Sequence, residues 1–126
     1  MEMDIIVAGW SARGPDSYLL RTLEGTPTPA WKIIDTGGVL LTPSCDAIFA
    51  EVNEKLTGPR APRAISDKEL IEVAEMQRRY IEPYGPQKIP TSWVGGFLQL
   101  TTVTEDEIST RIIHRWPDEI GKPLGA

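Results

Sequence analysis

The chain has 126 residues, of which 40% are hydrophobic and 25% are charged, and its formal net charge at pH 7 is -5. This length and composition suit a single globular domain spanning residues 1–126. The acidity argues against a nucleic-acid-binding surface, which needs a basic face, and against attraction to anionic membranes.

The sequence also limits cofactors and location. Cys45 and His114 are the only cysteine and histidine, which excludes an internal disulfide and a multi-histidine metal site within one chain. We therefore expect no cofactor. The first residues lack a basic segment, and no apolar run approaches the roughly 20 residues of a membrane-spanning helix. We expect a cytoplasmic protein.

The first third of the chain predicts strands. The apolar run at residues 4–10 is too short for a helix, Gly14-Pro15 has turn chemistry, and residues 17–22 return as a second strand. Residues 31–42 predict either a third strand that is interrupted at Gly37-Gly38 or two short strands, because a glycine pair implies a bulge, a positive φ angle or a close backbone approach.

Two helices are predicted next. The first starts at Pro43-Ser44 and stops at Gly58-Pro59, with Ser44 as its N-cap. Its apolar stripe consists of Cys45, Ile48, Phe49, Val52 and Leu56. The second helix opens with a capping box between Ser66 and Glu69 and ends near Glu82, because Pro83 disfavours continuation.

A long hairpin is predicted near the C-terminus. Residues 82–92 are rich in proline and predict a connection without regular structure. Residues 93–103 and 108–114 contain the β-branched and aromatic residues typical of strands, and the polar sequence T-E-D-E at 104–107 forms the turn between them. In the tail from about residue 115, Trp116 and Ile120 are the expected anchors, and its end is expected to fray.

Strands at both ends of a chain with a helix pair between them indicate an α+β fold. We expect one antiparallel sheet that two helices cover on one face. Several strands are apolar on both faces, so the second face of the sheet must also be buried. We infer a homo-oligomer, or a hetero-oligomer with a chain that supplies the other sheet.

Single residues allow functional interpretations that we weigh against structural ones. Cys45 lies on an apolar stripe, so packing is favoured over nucleophilic chemistry. Ser11 lacks the context of a nucleophile elbow and is interpreted as a turn serine. His114 is interpreted as a strand-end residue, and the T-E-D-E turn as solvated. A solvated face is favoured over an anion site for Arg60, Arg63, Arg78 and Arg79. The tryptophans could line a groove or anchor a core or interface: Trp10, Trp31, Trp93 and Trp116.

Three stretches resemble the C-terminal half of the N-terminal-nucleophile (Ntn) hydrolase fold, as in 20S proteasome subunits. "IIVAGWSARGPDSYLLRTLEG" is similar to a strand pair that ends in Ala-Gly, turns and returns through a tyrosine-bearing strand. "DTGGVLLTPSCDAIFAEVNEKL" is similar to a glycine-rich strand end that leads into a helix. "VGGFLQLTTVTEDEI" is similar to the closing hairpin. The resemblance implies half of an αββα sandwich over about residues 4–114.

The resemblance also implies that the chain is inactive alone. Ntn hydrolases attack with an N-terminal Thr, Ser or Cys, whose own amine acts as the base. That residue and its acidic and lysine partners lie in the half that has no counterpart here. An aspartate and a serine of the family's second half align with Thr91 and Val94, and neither is kept. Another polypeptide supplies the missing half, the fold is used without the chemistry, or the sequence is a fragment.

The resemblance further implies which residues line a shared cleft, where they would provide shape and backbone hydrogen bonds without acting as acid or base. These residues are Thr36, Gly37, Gly38, Thr91 and Ser92. In this hypothesis the chain is a subunit or support half of an Ntn-hydrolase-like assembly. The alternative is a non-catalytic protein-interaction module that self-associates through its sheet.

Overall fold

The computed structural model describes residues 3–22, 30–36, 41, 46–57 and 65–124. It combines antiparallel strands with two helices, which confirms the α+β class. The elements in chain order are β1 (Asp4–Ser11), β2 (Gly14–Arg21), β3 (Ile33–Asp35), α1 (Asp46–Thr57), α2 (Asp67–Arg78), β4 (Ile81–Tyr84), β5 (Ile89–Ser92), β6 (Phe97–Val103) and β7 (Ile108–Arg115).

The first sheet has the order β1-β2-β3. Strands β1 and β2 pair antiparallel from Asp4 opposite Arg21 to Ser11 opposite Gly14. Gly14 and Pro15 therefore open β2 instead of forming the turn that the sequence predicts. Gly14 has φ +111°, a value that glycine adopts easily, and it lets the chain enter β2 directly after a two-residue turn.

Strand β3 is shorter than the sequence predicts. It pairs with β2 from Leu20 opposite Ile33 to Tyr18 opposite Asp35. The Thr36 amide then donates to the Ser17 carbonyl at 3.0 Å, which extends the contact by one residue. The predicted interruption at Gly37-Gly38 lies outside the described residues, as do Ser44 and Cys45 at the start of the first helix.

The helix pair holds a hydrophobic core. Ile48, Val52 and Val73 are buried together, and Leu41, Met76 and Tyr80 pack partly buried against them. The capping box at the start of α2 is confirmed, since the Glu69 amide donates to Ser66 Oγ and the Ser66 amide donates to Glu69 Oε2. Helical spacing predicts that Phe49 packs in the same core. Its side chain is 46% exposed, so that prediction was wrong.

The prediction was wrong between α2 and the closing hairpin. Helix α2 ends at Arg78, and residues that the sequence assigns to a connection form the antiparallel pair β4–β5. Pro83 lies opposite Pro90 in this pair. Antiparallel strands alternate hydrogen-bonded and non-bonded residue pairs, and two prolines can face each other at a non-bonded position because neither N–H is needed there.

The closing hairpin is confirmed, although β6 begins at Phe97 and not at Trp93. Gly96, with φ +75°, separates the strand from the preceding bend. In the turn, the Thr104 amide donates to the Glu107 carbonyl at 2.8 Å, and Thr104 Oγ1 accepts from the Glu107 amide at 3.1 Å. The T-E-D-E sequence is therefore a hydrogen-bonded turn.

Within the described ranges the strands form three sheets of three, two and two strands, not the one sheet that we predicted. Each sheet joins strands that follow one another along the chain. Periodicity identifies a strand and a nearby turn, but it carries no information about distant pairing partners. In the part of the chain that is described, neither helix has the length and apolar character needed to cross a membrane.

The chain divides into two compact units. The first consists of Met1–Leu40 with Thr101–Thr110, and the second of Leu41–Leu100 with Arg111–Ala126. The first unit therefore holds the three-stranded sheet and the tip of the β6–β7 hairpin. The second holds the helix pair, the β4–β5 pair, the base of the hairpin and the C-terminal segment.

Candidate functional site

One face of the three-stranded sheet is apolar and open to solvent. Side chains alternate between the two faces of a strand, so the pairing register places Ile5, Val7, Tyr18, Leu20 and Ile33 on one face, with Asp35 at its border opposite Tyr18. We call the first five residues the apolar sheet face. Ile5 is 39%, Val7 60% and Ile33 75% exposed. Together with Leu19 they line an open cavity of about 280 Å³.

A small polar network borders this face at the β1–β2 turn. The Arg13 guanidinium donates to Asp16 Oδ2 and to the Tyr18 hydroxyl, both at 3.2 Å. The Ser11 hydroxyl accepts from the Arg13 amide and donates to the Gly14 carbonyl, as a turn serine does.

A second, larger cavity of about 590 Å³ lies within the first unit. It is lined by Ala8, Gly9, Pro15, Asp16, Ser17, Asp35, Thr101 and Val103. Two carboxylates and two hydroxyls give its wall a polar, acidic part. Within the described ranges, no group of three or more His, Cys, Asp or Glu side chains is close enough to hold a metal ion.

Thr36, one of the predicted cleft residues, adjoins this cavity. Its hydroxyl hydrogen-bonds to the Ser17 hydroxyl and donates to the Ser17 carbonyl at 3.2 Å. Ser17 itself lines the cavity. Thr36 therefore helps to fix a residue of the cavity wall. Gly37 and Gly38, which the resemblance places in the same cleft, lie outside the described residues.

Thr91 and Ser92 are neighbours at the end of β5, in the second unit. Thr91 is half-buried, and its hydroxyl donates to the Ile89 carbonyl at 3.2 Å. Ser92 is 1% exposed. Its hydroxyl donates to the Val94 carbonyl and accepts from the Val94 amide, while its own amide donates to the Leu124 carbonyl. The Ser92 side chain thus makes both of its hydrogen bonds to the backbone of Val94.

Trp116 anchors the segment that follows β7, as the sequence predicts. Its Nε1 donates to Glu75 Oε1 at 2.7 Å, and its backbone amide donates to the Gly96 carbonyl at 3.0 Å. The His114 ring meets the indole edge-to-face with centroids 4.8 Å apart. His114 is accordingly a packed strand-end residue. Ile120, the other expected anchor, is fully exposed, so that prediction was wrong.

Arg78 and Asp118 form a partly buried ion pair that sequence reasoning missed. Two guanidinium nitrogens of Arg78 donate to the two Asp118 oxygens, and the Gly96 amide donates to Oδ2 at 2.6 Å. The side chains are 15% and 14% exposed. Arg78, followed by the Gly96 amide, holds the pKa of the Asp118 carboxyl below its usual range. Forty positions separate the two residues, so no local pattern connects them.

Comparisons with protein-family models, with curated proteins and with solved structures found no match to this chain.

Proposed function

We propose that the chain is the non-catalytic support half of an Ntn-hydrolase-like assembly and that it packs the apolar sheet face against a sheet of another chain. The observation that carries the proposal is the exposure of Ile5, Val7 and Ile33 on one face of a three-stranded sheet. An apolar sheet face is usually buried against a second layer, which lies about 10 Å away in a sandwich.

The absence of catalysis in the isolated chain is part of the same proposal. The hydroxyls of Ser11, Thr36 and Ser92 all hydrogen-bond within the fold, mostly to backbone groups. If a partner carries an N-terminal nucleophile, the complex would cleave amide bonds by acyl transfer. In that complex the residues that we expect to shape the shared cleft are Thr36, Gly37, Gly38, Thr91 and Ser92.

A second candidate is a protein-interaction module that self-associates through the sheet. Strand β1 lies at one edge of the order β1-β2-β3, and its residues between Asp4 and Ser11 carry no charge. An apolar edge strand of eight residues is able to pair with the same strand of a second copy. This candidate differs from the first because it requires no partner of another sequence.

The first experiment is a native-mass measurement of the purified chain and of two variants. Ile33→Lys places a charge on the apolar sheet face, and Ile120→Lys is the matched control because Ile120 is fully exposed outside it. We expect the wild type and Ile120→Lys to exceed 14.0 kDa and Ile33→Lys to return to it. A wild-type chain that is monomeric at 14.0 kDa would contradict self-association, since only the support half needs a partner of another sequence to exceed that mass.

Labelling with an inhibitor of N-terminal nucleophiles separates the two candidates. The support-half proposal expects no label on this chain and label on a co-purified partner. A homo-oligomer in which no chain is labelled favours self-association. Stoichiometric labelling of this chain would show that it is itself the enzyme.

A further inference from the structure

The residues that follow β7 are hydrogen-bonded to other parts of the second unit. We call residues 116–124 the strap. At its start, the Trp116 amide donates to the Gly96 carbonyl at 3.0 Å, and at its end the Leu124 carbonyl accepts from the Ser92 amide at 3.1 Å. Between these ends the Lys122 amide bonds to the Glu119 carbonyl, and Ile120 is fully exposed. The middle of the strap is therefore a turn without a buried apolar anchor.

A carboxylate-binding arrangement lies beneath the strap. The Arg78 guanidinium faces the Asp118 carboxylate with two parallel donors, and the Gly96 amide adds a third donor. The backbone also holds Arg78 in place, because its Nη1 donates to the Val94 carbonyl at 2.8 Å. The Arg78 guanidinium further lies 5.2 Å from the centre of the Trp116 ring. Paired guanidinium donors aimed at one carboxylate give geometric specificity as well as strength.

The backbone next to this arrangement is shaped for the strap. A Cβ on Gly95 would lie 2.7 Å from Asp118 Oδ2 and 2.8 Å from a Leu124 methyl carbon, so any other residue there would require the side chains of Asp118 and Leu124 to shift. Gly96 has φ +75°, which glycine adopts without strain, and this conformation accompanies the Gly96 amide that donates to Asp118. Both glycines thus serve the contact with residues 116–124.

We propose that Arg78 and the Gly96 amide form a binding site for the carboxylate of an extended segment, which the strap occupies in cis through Asp118 and which the same segment of a second copy can occupy in trans. The strap is suited to release, because residues 119–123 are exposed and its contacts in the described chain are made at Trp116, Asp118 and Leu124. This inference is independent of the proposed function, since every residue in it belongs to the second unit and none belongs to the apolar sheet face.

The first test empties the site in the full chain with Asp118→Ala. The matched control is Asp106→Ala, which removes an exposed turn carboxylate. We expect Asp118→Ala to lower the Tm by about 4 °C or more and the control to leave it unchanged. Sodium acetate, compared with sodium chloride at equal ionic strength, should restore part of the Tm of Asp118→Ala alone. A lowered Tm without acetate-specific recovery would show that Asp118 is only a structural ion-pair partner and would overturn the proposal.

The second test supplies the segment in trans. A labelled peptide of residues 116–124, WPDEIGKPL, should bind full-length Asp118→Ala at least about tenfold more tightly than the wild type, whose own strap competes. The same peptide with Asn at the Asp118 position should bind more weakly than the parent. Equal binding of both peptides, or no binding to the variant, would refute the trans site.

Asp118→Asn is the second variant if Asp118→Ala does not fold, because it keeps the side-chain volume and one acceptor oxygen. The acetate and peptide comparisons are then made with it. If neither variant folds, Asp118 is required for the fold itself, and the proposal of a releasable strap is wrong.

Discussion

The two units of the molecule differ in how far their apolar side chains are buried. Among the described residues, the second unit buries Ile48, Val52, Val73 and Ala74, whereas Leu19 is the one buried hydrophobic side chain of the first. The apolar residues of β1 remain largely exposed, with Val7 at 60%. A helix pair can bury an apolar stripe within itself, but a three-stranded sheet has two faces and needs a layer on each. The second unit therefore carries its own core, and the first exposes an apolar sheet face.

The largest expected effect contrasts two valines. Val52→Ala removes two buried methyl groups from the helix-pair core and should lower the free energy of unfolding by about 2 kcal/mol. Val7→Ala removes the same atoms from the apolar sheet face and should change it by less than about 0.5 kcal/mol at low protein concentration. Urea unfolding followed by circular dichroism measures both. An equal loss at Val7 would mean that the sheet face is already covered within the monomer.

A smaller effect contrasts two serines. Ser66→Ala removes the N-cap of α2 and with it the reciprocal bond to Glu69, so we expect a loss of about 1 kcal/mol. Ser11→Ala affects the β1–β2 turn only, and we expect less than about 0.5 kcal/mol. The same urea experiment applies. Equal destabilisation of the two variants would mean that the turn hydrogen bonds of Ser11 contribute as much as the helix cap of Ser66.

The acid dependence of stability compares one carboxylate from each unit. Arg21 holds the pKa of Asp4 below its usual range, as Arg78 and the Gly96 amide do for Asp118. A carboxyl whose pKa is lower in the folded than in the unfolded chain, where it is about 3.9, stabilises the fold above that pH. This stabilisation is lost as the pH falls through the folded pKa. The Tm should therefore be flat above about pH 5 and fall below about pH 4.

Aspartate-to-asparagine variants measure how much a carboxylate of each unit contributes to this fall in Tm. Asp118→Asn should flatten the acid profile more than Asp4→Asn, because three donors contact Asp118 and Arg21 alone supplies the two donors to Asp4. Asp106→Asn, in the exposed turn, should keep the wild-type profile. A larger change for Asp4→Asn would mean that Asp4, and not Asp118, contributes more to the acid dependence of the Tm.

Several patterns confined to a few neighbouring residues were predicted correctly. Helical spacing identified Ile48 and Val52, the S-D-K-E sequence identified the cap at Ser66, and β-branched residues around a polar turn identified the closing hairpin. Each depends on side chains that contact one another within one or two turns of the chain. The sequence also identified Trp116 as an anchor, since a large aromatic after a strand seldom remains unpacked.

The candidate site was only partly predictable. Thr36, Thr91 and Ser92 were chosen by family resemblance, and their side chains make hydrogen bonds to nearby residues of the fold. No sequence signal pointed to the Arg78–Asp118 pair. A guanidinium and a carboxylate forty positions apart look like any two surface charges until the chain brings them together.

The sequence by itself therefore determined which segments are helices and most of the strands, because secondary-structure periodicity and capping are local. Only the tertiary structure decided that Pro83 faces Pro90 in a strand pair, that Ile120 is exposed and that Asp118 meets Arg78. It also decided that Val7 remains exposed although its strand is as apolar as a buried one. The burial of a side chain depends on the layer opposite it, and no local pattern of residues specifies that layer.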